Sequence, residues 1–188
     1  MDEAMFASIF DDFCEMKRAH IREAAADDRD IPMMVFVSDR PSEEDADAIA
    51  VIVPGSRNEI VRALAAVMAR MYIPYWAAIC SDGFVAKDGD VPEEFLHPGG
   101  LIEMALSGSD AVKECLTITA ADHAGAKYAC SRTYWYDSDG DIWFDDSEGP
   151  TGEMNGPMID ILVDITSLWG KTQAEIIAEI LSRTTDMN

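Results

Sequence analysis

Residues 48–81 read AIAVIVPGSRNEIVRALAAVMARMYIPYWAAICS, and the order of apolar runs within them decides the fold class. Ala50 to Val53 is a short, continuous apolar run stopped by Pro54-Gly55, which reads as an interior strand buried on both faces. Ser56-Arg57-Asn58-Glu59 then has the capping-box pattern, in which the serine oxygen accepts one orphan amide and the glutamate returns a bond to the N-cap amide. Ile60, Val61, Leu64, Val67, Met68 and Met71 recur at helical spacing with Arg57, Arg62 and Arg70 opposite, so one stripe of this central helix packs on a sheet. Tyr75 to Cys80 reads as the next strand and Ser81-Asp82-Gly83 as the turn leaving it. A phosphate site at the helix start is a weak reading, because Gly55 stands alone, no Walker lysine follows, and Glu59 puts a carboxylate where an anion would sit.

Upstream, residues 3–26 form an amphipathic pattern with Phe6, Ile9, Phe10, Phe13, Met16, Ile21 and Ala24 on one stripe. Asp11, Asp12, Glu15, Lys17 and Arg18 are assigned to the opposite, solvated face. Pro32 ends this helix, and Met33 to Val37 reads as the first strand. The loop from Ser38 to Asp47 is too short for a crossover helix, so the first two strands should be an antiparallel pair. The Gly-, Pro- and Asp-rich stretch from Gly83 to Gly100 is the longest weakly structured segment, followed by a short helix from Gly100 to Leu106.

Three strands follow: Glu114 to Ala121, Lys127 to Tyr136 and Asp141 to Asp145. Asp139-Gly140 is a two-residue type I′ signal, so the last two form a hairpin with Tyr136 opposite Trp143 and Trp135 opposite Phe144. Alternation then puts Trp135, Ile142 and Phe144 on one face and Tyr134, Tyr136 and Trp143 on the other. One face must meet the core. The other is either covered by a helix or displayed; displayed, Tyr134, Tyr136 and Trp143 are the candidate partner-binding surface, ringed by Asp137, Asp139, Asp141 and Asp145, because such aromatics dominate interface hot spots. The spacing of Asp137, Asp139, Asp141 and Glu148 also resembles a calcium loop, but Ile142 replaces its obligatory glycine and the flanks read as strands, so no metal is assigned. A helix from Met158 to Trp169, a C′ glycine at Gly170 and a capping box at Thr172 to Glu175 complete the chain, with residues 184–188 as a frayed tail. The expectation is a single α+β domain over residues 1–188. Its mixed or mostly antiparallel sheet of five to six strands is packed by an N-terminal helix, a central helix and two C-terminal helices.

The chain of 188 residues carries 36 acidic and 14 basic side chains, a net charge of −22. No single segment holds the excess. Such a charge repels phosphate backbones and anionic membranes and favours basic protein partners, including those for which the chain would mimic nucleic acid; a generic solubilising acidic surface and adaptation to high salt are the other two readings of such acidity. Cys14, Cys80, Cys115 and Cys130 are widely spaced without a CxxC pair, which reads as free thiols. The acidic N-terminus and the absence of a membrane-length apolar run point to the cytoplasm of a bacterial or archaeal cell.

The succession MMVFV, AIAVIVP, a helix, YWAAICSDGF and the late hairpin TYWYDSDGDIWF resembles small uncharacterised α/β proteins of prophages and bacterial mobile elements. That resemblance implies a phage or mobile-element origin and assigns no residue. His20, His97 and His123 have no metal-ligand spacing, and no GxSxG elbow exists, so the enzyme reading rests on Asp82, His97 and Cys80 near the central loop. The favoured expectation is a non-enzymatic acidic protein, without cofactor, that binds and modulates or inhibits a basic host or defence protein. The alternatives are a small-molecule binder or small enzyme using residues 83–100, and a structural accessory protein.

Overall fold

The computed structural model describes residues 1–23, 31–39, 49–53, 73–86, 91–95, 97, 100–145, 157–176 and 178. The elements in chain order are α1 (Glu3–Glu23), β1 (Met33–Ser38), β2 (Ile49–Val53), β3 (Trp76–Ala86), a 3₁₀ turn (Glu93–Phe95), α2 (Gly100–Leu106), β4 (Val112–Asp122), β5 (Lys127–Tyr136), β6 (Ile142–Phe144) and α3 (Pro157–Thr166). The six strands form one sheet in the order β2-β1-β3-β4-β5-β6, with every neighbouring pair antiparallel. This is an α+β fold. The central helix expected at residues 56–71 lies outside the described residues.

Two expectations about strands are corrected. Among the described residues, 50–53 belong to β2, which pairs with β1 alone and so ends the sheet order rather than lying inside it. An apolar run by itself does not specify two strand neighbours. Second, Ser81-Asp82-Gly83 is not a turn. The chain continues through it as β3, with Gly83 opposite Cys115 and Ala86 opposite Val112. The polar residues that imitate a turn have specific partners there: Ser81 Oγ and Thr117 Oγ1 lie 2.8 Å apart, and Asp82 is held by side chains from α1 and β5.

Alternation sorts the sheet into two faces. Trp76, Ala78, Cys80, Leu116, Ile118 and Ala120 meet Phe6, Ile9, Phe10 and Phe13 of α1. Val35, Val37, Ala77, Ile79 and Ala121 meet Ile159 and Leu162 of α3. In α1, the buried stripe takes in Lys17, fully buried, while Met16 is 41% exposed. The assignments of these two residues are therefore exchanged relative to the sequence pattern, with Lys17 lying one helical turn beyond Phe13. Gly100 opens α2 where a side chain could not fit, since an added Cβ would lie 2.0 Å from the Phe95 carbonyl oxygen. At the C-terminal end, Gly170 has φ +76° as the C′ reading requires. The Thr172 amide donates to Glu175 Oε2 (2.7 Å), and the Glu175 amide donates to Thr172 Oγ1 (3.4 Å), closing the capping box.

Candidate functional site: an acidic hairpin with two displayed tryptophans

The hairpin forms where it was expected, but its loop is wider. The Asp137 amide donates to the Asp141 carbonyl at 3.0 Å and the Gly140 amide to the Asp137 carbonyl at 3.1 Å, leaving Ser138, Asp139 and Gly140 as a three-residue loop. Gly140 adopts φ +84°, the left-handed residue that follows a type I turn in loops of this length. The register is accordingly Tyr136 with Ile142, Trp135 with Trp143 and Tyr134 with Phe144. A one-residue slip in pairing moves a strand's side chains to the other face.

The single face of Tyr134, Tyr136 and Trp143 is thus overturned. Tyr134 is buried at 5% exposure and packs with Ile142, Tyr136 and Phe144 on the α1 side. Trp135 and Trp143 stand opposite one another on the other face, 49% and 54% exposed. The sequence did hold the deciding signal. Aspartate at the first and glycine at the fourth position of Asp137-Ser138-Asp139-Gly140 mark a type I turn, which competes with the two-residue reading of Asp-Gly alone. Asp137 decides the competition, because its Oδ1 accepts the amides of both Asp139 and Asp141 at 3.0 Å.

The four hairpin carboxylates have two kinds of role. Asp137 Oδ2 accepts the Trp143 indole N–H at 2.8 Å, so this side chain fixes both the loop and the orientation of the ring. Asp145 accepts from the Thr133 hydroxyl and from Lys113 Nζ, the latter at 3.1 Å. Asp139 and Asp141 are exposed, and among the described residues their carboxylates have no hydrogen-bond or ion-pair partner. They are the two charges left for another molecule.

The Trp143 indole bond, joined by the backbone amides, holds Asp137 below the ordinary carboxylate value of 3.8. A depressed pKa means that the contact is complete above the ordinary value and is lost only as pH falls through the lower folded one. In an acid titration followed by NMR, the Trp143 indole N–H signal should therefore hold its position as pH falls through the ordinary carboxylate value of 3.8, and move only below it. Movement at or above that value would show that the indole bond is absent in solution.

Behind the hairpin lies a buried charged group. Lys17 of α1 forms an ion pair with Asp82 Oδ2 of β3, the Tyr134 hydroxyl donates to Asp82 Oδ1 at 2.7 Å, and Lys17 Nζ lies 5.1 Å from the Tyr134 ring centroid. Burial, then the neighbouring Asp82 charge, raises the Tyr134 pKa far above its usual range, so its hydroxyl stays a donor. With Lys17 fully buried and Asp82 at 10% side-chain exposure, the group joins the helix, the sheet centre and the hairpin.

Asp82 is therefore committed to the core. Cys80 is fully buried, and burial raises its thiol pKa, the reverse of what a nucleophile needs. Burial likewise pushes Cys14 and Cys115 to about 11, and all four cysteines are free thiols. His97 faces Glu103 of α2, with Nε2 3.7 Å from Oε2. Glu148, the last position of the calcium-loop spacing, lies outside the described residues. Asp137, its first position, has both oxygens engaged within the hairpin.

Two cavities flank the hairpin. One of about 470 Å³ opens where β4 and β5 part beyond the Cys115–Thr133 pair and is lined by Val112, Lys113, Trp135 and Tyr136 among others. The other, about 260 Å³, lies between α1 and β6, with Arg18, Arg22 and Trp143 in its wall. Among the described residues no helix is long and apolar enough to cross a membrane. No family model, curated protein or solved structure matches the chain.

Proposed function

We propose that this chain is an acidic interaction protein that binds and modulates a basic protein through the β5–β6 hairpin. The observation that carries the reading is the pair Trp135 and Trp143, side by side across two strands and each about half exposed, next to the unengaged carboxylates of Asp139 and Asp141. Displayed tryptophans supply large, rigid contact area, and an indole already held by Asp137 loses little rotamer freedom on binding. The net charge of −22 would steer a basic partner toward this surface and repel nucleic acid and anionic lipid. A phage or mobile-element protein directed at a basic host or defence protein fits this chemistry, including one whose partner normally holds nucleic acid.

Pulldown from a bacterial lysate, with captured proteins identified by mass spectrometry, tests the reading when wild type is run beside a Trp135→Ser, Trp143→Ser variant at about 50 and about 300 mM salt. The expected result is one basic protein held stoichiometrically by the wild type at low salt, weakened at the higher salt and lost with the double variant. Capture indifferent to both salt and the tryptophans, or no capture at all, would overturn the proposal.

A further inference from the structure

Three aromatic rings on the α1 side of the molecule already carry cations. Lys17 lies over Tyr134, Arg18 over Phe144 at 5.0 Å and Arg132 over Phe10 at 5.1 Å. Among the described residues no cation lies over Trp135 or Trp143, although indole is the strongest of the aromatic cation acceptors. Trp143 is further prepared for that role. Its N–H donates to a carboxylate, which polarises the ring toward a more negative face, and the same bond fixes the plane of the indole. Asp139 and Asp141, the two sequence neighbours of the loop glycine, supply unengaged acceptors in the same hairpin. The cavity between Trp143 and α1 is walled by Glu15 and Asp141 as well as Arg18 and Arg22, so its charges balance, and the open face to consider is the one that Trp143 shares with Trp135.

We infer that the group received on this face is an arginine side chain on a basic segment of the partner protein, stacked on Trp143 with its edge bonded to Asp139 or Asp141. This deepens the proposed function and rests on it. Arginine is favoured over lysine because a planar guanidinium can lie flat on an indole and still direct its N–H groups in plane to carboxylates, which a compact, strongly hydrated ammonium cannot. The stack at a half-exposed site contributes about 1 kcal/mol, so the discrimination should be about fivefold.

Titration calorimetry of the full chain at low salt with hexa-arginine and hexa-lysine peptides of equal charge tests this, using wild type, Trp143→Leu and Asp139→Asn, Asp141→Asn proteins. The inference expects hexa-arginine to bind the wild type about fivefold more tightly than hexa-lysine. Trp143→Leu should remove that preference, and the double asparagine variant should weaken both peptides. Equal affinity of the two peptides, or a preference that survives Trp143→Leu, overturns the arginine inference and leaves a purely electrostatic surface compatible with a basic partner. Absence of binding by either peptide overturns both. Because Trp143 is more than half exposed, folding of its variant can be checked by an unchanged melting temperature.

Discussion

Lys17→Ala is expected to destabilise the protein by about 3–5 kcal/mol, roughly a 10 °C fall in melting temperature for a chain of this size. The loss comes from what remains. Asp82 would keep a nearly buried carboxylate facing apolar side chains of α1 and the sheet, with only the Tyr134 hydroxyl to compensate it. Asp82→Ala should be similarly damaging, since it removes the carboxylate that pairs with the fully buried Lys17 ammonium. The triple variant Lys17→Met, Asp82→Leu, Tyr134→Phe removes every charge together and should recover most of the stability, because a buried pair contributes little beyond an apolar replacement of similar volume. Urea unfolding of the four proteins checks this. Lys17→Ala within about 1 kcal/mol of wild type would mean that the ammonium reaches water and α1 is docked differently.

The second large effect separates the two faces of the hairpin. Tyr134→Ala should cost about 3–5 kcal/mol, as expected for removing a buried aromatic ring, and it also removes a donor from Asp82. Trp143→Ser, at a larger side chain one strand away, should change stability by no more than about 0.5–1 kcal/mol, the loss of its single bond to Asp137. Thermal unfolding of these two variants compares the registers directly. The two-residue turn would put Tyr134 and Trp143 on one face, so the two substitutions would then have similar costs.

Much of the fold was legible because hydrophobic period and punctuation agreed locally. The antiparallel β1–β2 pair, α2, the strands β4 to β6, the Gly170 helix end and the Thr172 capping box all follow from patterns spanning a few residues. What could not be read depended on contacts distant in sequence. Asp82 looks like a turn residue until Lys17, 65 positions earlier, and Tyr134, 52 positions later, meet it. Lys17 looks solvated for the same reason. The edge position of β2 is a matter of strand order, which the composition of a strand does not encode. The hairpin was nearly legible: its residues and strands were found, and the loop length alone misplaced Trp143 relative to the tyrosines. Because that length sets the parity of every following side chain, a local error at Asp139-Gly140 changed which aromatics a partner would meet.

The account stands on Trp135 and Trp143 being the displayed aromatics, and NMR with a soluble paramagnetic relaxation agent measures that most directly. The ring signals of Trp135 and Trp143 should broaden strongly, while those of Trp76, 1% exposed, and Tyr134, 5% exposed, stay sharp. Like behaviour of Tyr134 and Trp143, both broadened or both protected, would contradict it and restore the two-residue turn, which puts the two on one face.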